Sequence, residues 1–156
     1  MHALQRAKAY WGDQVKCVTL DSDVKLDPAG DGSSDHHLTE DLLSSRLENV
    51  RKWVKSLLDK IRQKWGARAI SFVWASPDCS QYSLANTAKT YHEKGRGLLI
   101  ADRLVERTRQ IINELQCHAA KVHVPFRYII ENPSSGRLPD QDVLKDLPFV
   151  DVSYCH

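Results

Sequence analysis

No two of the four cysteines in this sequence, Cys17, Cys79, Cys117 and Cys155, stand close enough to form a CxxC pair. That spacing argues against a zinc ribbon and a disulfide framework, and the four read as free thiols. No apolar run approaches the roughly 20 residues that a membrane-spanning helix needs, so no membrane partner is expected. The amino-terminal residues carry no signal-peptide core, which favours an intracellular compartment, cytoplasm or nucleus. A net charge of +2 is too small by itself to point to a polyanionic partner, and it does not exclude one. Internal repeats and low-complexity segments are also missing. What is there is a chain of 156 residues with ordinary globular composition. It is enough for one domain over 1–156 and one core.

Strand-like and helix-like segments alternate along it. "VKCVTLDSD" (15–23) is β-rich and ends in acidic residues, while "DPAGDGSSD" (27–35) reads as a loop. His36 and His37 fall in the same polar stretch. From Thr39 a helical pattern runs through Leu43, Leu47, Val50, Val54, Leu57, Leu58, Ile61 and Trp65, and Gly66 closes it. "AISFVWA" (69–75) is a continuous apolar strand of the kind buried on both faces of a parallel sheet. A polar loop with Gly95 and Gly97 follows, then a helix over about 98–115 with Ile100, Leu104, Ile111 and Leu115 as apolar positions. "FRYIIENP" (126–133) is a strand stopped by Pro133, and a short last strand is expected in "VDVSYC" (150–155). The alternation predicts an α/β fold in which 69–75 and 126–131 are neighbouring parallel strands, with the intervening helix as their crossover.

Three strands then end in chemically distinctive residues: Asp21, Cys79 and the run Glu131-Asn132-Pro133. In an open α/β sheet the carboxyl ends of the strands share one edge, so these groups are expected to converge there. A cysteine leading from a strand into a polar loop suits nucleophilic chemistry, because its thiolate is strongly nucleophilic and partly populated near neutral pH. A glutamate at a neighbouring strand end can donate a proton to whatever the thiolate attacks. Pro133 holds Asn132 extended and so fixes how Glu131 is presented. Each residue alone also has a bland reading, as an inert thiol or a surface carboxylate. The pair is the stronger signal.

"SPDCSQYS" (76–83) resembles the Pro-Cys-x-x-aromatic-Ser signature of cytosine-5 DNA methyltransferases, with Pro77, Cys79, Tyr82 and Ser83 in the matching places. "YIIENP" (128–133) resembles the family's Glu-Asn-Val motif in a Glu-Asn-Pro form. "ADRLVERTRQII" (101–112) is similar to the Asp/Arg-bearing helix between those motifs, and "VTLDSD" (18–23) to the strand whose terminal acid holds the cofactor ribose. The likeness runs from about Arg6 to Cys155 in the family's order, is specific at the cysteine and Glu-Asn-Pro motifs, and looks most like the short, phage- and virus-like branch. It implies a Rossmann-like methyltransferase fold, S-adenosylmethionine as cofactor and cytosine-containing DNA as partner. The implied reaction adds the Cys79 thiolate to carbon 6 of a flipped-out cytosine while Glu131 protonates ring nitrogen 3. Carbon 5 then becomes nucleophilic enough to take the sulfonium methyl group, and loss of the carbon-5 proton with expulsion of the thiolate releases the product. Asp21, with Asp23 and Asp41 as further candidates, and Pro77 are the implied cofactor contacts. Ser83 and Asn132 are implied at the nucleic-acid side.

Two departures from the family pattern bear on this. Asp78 stands where the family usually has a second proline; its charge disfavours the thiolate, and it does not stiffen the loop as proline does. The family's opening strand and Asp/Gly-rich turn have no counterpart before "MHALQRAKAYWG" (1–12). The expected fold therefore lacks its first strand, the chain is a fragment or a degenerate relative, and cofactor binding is weak or absent. The alternative function is a catalytically inert binding or regulatory protein on the same scaffold.

Other constellations carry two readings each. The loop "KTYHEKGRG" (89–97), with Lys89 and Arg96, is a nucleic-acid candidate or simply an exposed loop. Arg103 and Arg107, one helical turn apart, either reach a phosphate or pair with Asp102 and Glu106. The basic run from Arg46 to Arg68 is interrupted by Glu48 and Asp59 and reads as a solvated helix face. Cys117, His118 and His123 lack the spacing of a zinc site, so no metal is expected. A cysteine hydrolase is disfavoured, because no G-x-C-x-G turn surrounds Cys79.

Overall fold

A computed structural model of the chain describes residues 16, 18–21, 36–39, 42–43, 49–78, 80–82, 91–132 and 142–151. The chain divides into two compact units, Met1–Ser44 and Ser45–His156. In the first, β1 (Val18–Asp21) and β2 (His36–Thr39) pair in parallel, with Val18 opposite His36 and Asp21 opposite Thr39. A parallel pair needs a connection of a dozen or more residues, and the Asp-, Gly- and Ser-rich stretch between them has that length. His36 and His37, expected in a loop, are strand residues because their backbone completes the β1 ladder.

The second unit runs α1 (Val50–Trp65), β3 (Phe72–Ala75), α2 (Tyr91–Lys121) and β4 (Arg127–Ile130). Helix α1 starts at Asn49, whose side chain accepts the Lys52 N–H at 2.9 Å. It ends at Gly66, at φ 67°, whose N–H donates to the Arg62 carbonyl at 2.8 Å. The periodicity from Thr39 overestimates this helix at its start, because Thr39 pairs in β2 and Leu43 sits in a turn, 40% exposed. Its buried stripe is Val50, Val54, Leu57, Leu58 and Ile61, as the spacing predicts.

Helix α2 is longer than expected at both ends, and Gly95 and Gly97 lie inside it instead of hinging a loop. Its buried residues Ala101, Val105, Thr108, Ile112, Leu115 and Ala119 step by four and three, with Ile111 buried beside them as expected, and this face packs the helix into the core with α1. Ile100, expected inside, is 55% exposed because the stripe runs through its neighbour Ala101. The helix closes in a Schellman motif: Val124 N–H donates to Ala119 O at 2.9 Å and His123 N–H to Ala120 O at 3.2 Å. His123 occupies the left-handed position, φ 56°, that glycine usually takes there.

Strands β3 and β4 pair in parallel with α2 between them in sequence, as expected, in the register Phe72–Arg127, Trp74–Ile129 and Ala75–Ile130. Val73, Ala75, Tyr128 and Ile130 form the half-buried face. Tyr128 and Ile130 line a cleft with Ile112 and Gln116 of α2 and with Leu147. On the other face Phe72, Trp74 and Ile129 are 49%, 51% and 43% exposed. The apolar run of β3 is thus covered on one face, where two buried faces were expected. Among the described residues the strands form two pairs, β1–β2 and β3–β4. Val150 and Asp151 are irregular, and the rest of the strand expected at 150–155 lies outside the described residues.

The 142–147 segment is tied to α2 through Arg109, which donates to the Val143 carbonyl and to the Asp146 carboxylate. The Arg109 hydrogen bond holds the Asp146 carboxyl below its ordinary value of 3.8. Val143 and Leu144 pack against a buried cluster of Tyr82, Ala101 and Val105.

Candidate active site at the ends of β3 and β4

Because β3 and β4 are parallel and Ala75 lies opposite Ile130, Ser76 and Glu131 leave the sheet side by side. The ladder continues one step beyond the strands, with Glu131 N–H donating to Ala75 O at 2.8 Å. The Ser76 hydroxyl donates to Glu131 Oε2, also at 2.8 Å. Pro77 keeps the residue before it extended, so Ser76 follows the strand direction toward the glutamate. Charge-assisted hydrogen bonds of this kind orient a carboxylate as well as holding it. No motif singles out Ser76 in the sequence, although the parallel register and the two strand ends together locate it.

Next to Glu131, the amide of Asn132 has both its nitrogen and its oxygen buried, and neither makes a hydrogen bond. An unsatisfied buried amide costs about 1–3 kcal/mol, and such groups often mark places where a ligand completes the bonding. The Asp78 carboxylate accepts the Ser80 backbone N–H through Oδ1 at 2.9 Å and the Ser80 hydroxyl through Oδ2 at 3.1 Å. Further on, Tyr82 is 1% exposed, and its hydroxyl donates to Asp102 Oδ1 on α2 at 2.7 Å. Burial, and then the hydrogen bond to Asp102, push the Tyr82 phenol above its ordinary 10.0. Gln81 lies against Gly97, where an added Cβ would come 2.3 Å from Gln81 Oε1. The absent side chain at Gly97 lets this segment approach the helix closely.

The structure therefore brings Ser76, Pro77, Asp78, Glu131 and Asn132 together at one strand edge. Cys79, Ser83, Lys89, Asp23 and Asp41 lie outside the described residues. Arg96 belongs to the first turns of α2, so the loop expected at 89–97 is helical from Tyr91 onward. Arg103 is exposed and Arg107 half-buried, both on α2. Asp102, one of their expected partners, receives the Tyr82 hydroxyl. Asp21 ends β1, in the first unit, and Glu131 follows β4, in the second.

Cys117 is exposed, and His118 Nε2 lies 3.0 Å from the Arg68 carbonyl oxygen, so that ring nitrogen donates to the chain leaving α1. Among the described residues no group of three or more His, Cys, Asp or Glu gathers to hold a metal ion. No helix of the described residues is long and apolar enough to cross a membrane.

Asp21, the ribose candidate, is the last residue of β1. The glycines among the described residues are Gly66, which caps α1, and Gly95 and Gly97, which lie in α2. None of them makes a turn at a strand end where a backbone could approach a cofactor. Compared with family models, with curated proteins and with solved structures, the chain finds no match.

Proposed function

We propose that this chain is a cytosine-5 DNA methyltransferase-like protein on a Rossmann-like scaffold, acting on cytosine in DNA with S-adenosylmethionine as methyl donor. The observation that carries the proposal is the Ser76–Glu131 hydrogen bond between the ends of two parallel strands. The segment holding Cys79 leaves its strand within hydrogen-bond reach of the one carboxylate that the chemistry requires. Cys79 supplies the thiolate that adds to ring carbon 6, and Glu131 delivers the proton that ring nitrogen 3 takes up as the addition proceeds. The orphaned amide of Asn132 offers a donor and an acceptor beside the same ring. Bound S-adenosylmethionine would supply an electrophilic methyl group.

The experiment uses DNA carrying 5-fluorocytosine, with the cofactor present. Fluorine at carbon 5 cannot leave as a proton does, so the covalent thioether persists on a denaturing gel. Cys79→Ser abolishes the adduct, and Glu131→Gln slows it by about a hundredfold or more, the usual cost of removing a positioned acid. Ser76→Ala slows it by about fivefold, the factor that corresponds to one net hydrogen bond. A wild-type chain that yields no adduct overturns the proposal in favour of an inert scaffold, whose binding to DNA or cofactor calorimetry would detect.

A further inference from the structure

We propose that the outward face of α1 is a surface that tracks the phosphates of duplex DNA without reading base sequence. DNA is also the partner of the function proposed above, but this surface stands on the charge and exposure of α1 alone. The helix carries six of the chain's 22 basic residues and one of its 20 acidic ones. That is a net +5 on 16 residues in a chain whose total is +2, so all the other residues together sum to −3. The six, Arg51, Lys52, Lys55, Lys60, Arg62 and Lys64, are exposed, and the single acid is Asp59.

Helix stability does not account for this charge. A helix N-terminus favours anions, yet the first turn of α1 has no acid and holds Arg51 and Lys52. Arg51 with Lys55, and Lys60 with Lys64, are like-charge pairs four residues apart, which repel one another along the helix. Arg51 has a distant partner in Glu114, at 4.0 Å, and its side chain stays 77% exposed. Among the described residues Lys52, Lys55, Lys60 and Arg62 make no ion pair. A face that served solubility alone would mix the two signs.

Arg51, Lys55 and Arg62 fall on one side of the helix, spaced by four and seven residues, with Lys52 next to them. From Arg51 to Arg62 this stripe is about 16 Å long. Duplex DNA presents one negative charge per about 1.7 Å of its axis, so a stripe of that length faces a continuous row of phosphates. Contacts of this kind position a protein on the duplex and carry no sequence information. A membrane surface fits less well. The apolar residues of α1, Val50, Val54, Leu57, Leu58 and Ile61, are buried in the core that it shares with α2, which leaves no apolar face free to enter a bilayer.

The full chain is titrated with a fluorescein-labelled duplex of about 20 base pairs, all A·T, and anisotropy is followed between about 50 and 200 mM salt without S-adenosylmethionine. Four phosphate contacts give a slope of about −3.6 for log K against log salt. Lys55→Gln combined with Arg62→Gln makes the slope shallower by about two and weakens binding at the lowest salt by about tenfold or more. Asp59→Asn tightens binding, because its carboxylate repels the same phosphates. Lys121→Gln combined with Arg127→Gln removes two exposed cations outside α1 and leaves the slope unchanged. A wild-type chain that does not bind the duplex overturns the proposal. So does a Lys121/Arg127 pair that matters as much as the α1 pair, since net charge would then be the cause. Vesicles of phosphatidylserine and phosphatidylcholine that bind more tightly than the duplex, through Lys55 and Arg62, overturn it in favour of a membrane surface. Because this duplex holds no cytosine, binding to it without adduct formation on 5-fluorocytosine DNA supports the α1 surface and removes only the reaction proposed at Cys79.

Discussion

Replacing Tyr82 by phenylalanine removes one hydroxyl from a ring that is 1% exposed and leaves the ring's packing in place. The hydroxyl donates to Asp102 Oδ1 at 2.7 Å, and this bond ties the segment after β3 to α2. A hydrogen bond to a charged partner contributes about 1.5–3 kcal/mol net. Asp102 is only half-buried, so water can reach part of the carboxylate once the phenol is gone. The lower end, about 1.5 kcal/mol, is therefore expected. Tyr82→Ala would add the loss of the buried ring beside Ala101 and Val105, for a total of about 3–5 kcal/mol.

Urea unfolding followed by far-ultraviolet circular dichroism measures the difference. With a slope of about 1.5 kcal/mol per molar urea, Tyr82→Phe lowers the midpoint by about 1 M and leaves the slope unchanged. Asp102→Ala completes a double-mutant cycle, in which Tyr82→Phe costs almost nothing once the acceptor is gone. The pH dependence adds an independent check. The folded phenol is raised above its unfolded value of 10.0. The stabilisation is therefore complete below that value and is lost as the pH rises through the folded one. One of the five tyrosines should accordingly resist ionisation until the chain unfolds, which tyrosinate absorbance records. A Tyr82→Phe chain within about 0.5 kcal/mol of wild type would refute this account, because surface substitutions commonly give that much.

Two further outcomes follow from the same unit. His123→Gly should raise stability by about 0.5–1 kcal/mol in thermal or urea unfolding, since the left-handed position at the end of α2 suits a residue without a Cβ; a loss would mean that the imidazole makes a compensating contact. The stability difference between wild type and Asp146→Asn should be largest above pH 3.8, the ordinary value of that carboxyl, and should close as the pH falls below it, because the folded carboxyl is held lower by Arg109; a difference that stays constant with pH would show that the pair is not coupled to folding.

The sequence makes β3, β4 and the crossover helix readable because each has a local cause: an apolar run bounded by polar residues, or apolar positions at helical spacing. Gly66 was equally legible, since a glycine after a helical pattern has a specific use at φ 67°. Periodicity fails where it has no means of seeing a partner. Thr39 looks like a helix start until β1 claims its backbone, and the apolar run of β3 looks doubly buried although Phe72 and Trp74 on one of its faces are exposed. At the candidate site the cysteine and the Glu-Asn-Pro turn announce themselves by residue type, whereas Ser76, Tyr82 and Asp78 act through bonds to residues 55, 20 and 2 positions away. Only the last of those spacings is local, and there the sequence shows a charge beside a thiol. The reach of the Asp78 oxygen to the N–H two residues on depends on a backbone conformation that charge counting ignores. A short polar side chain therefore has to be judged first by which donor it faces, and the sign of its charge matters only after that.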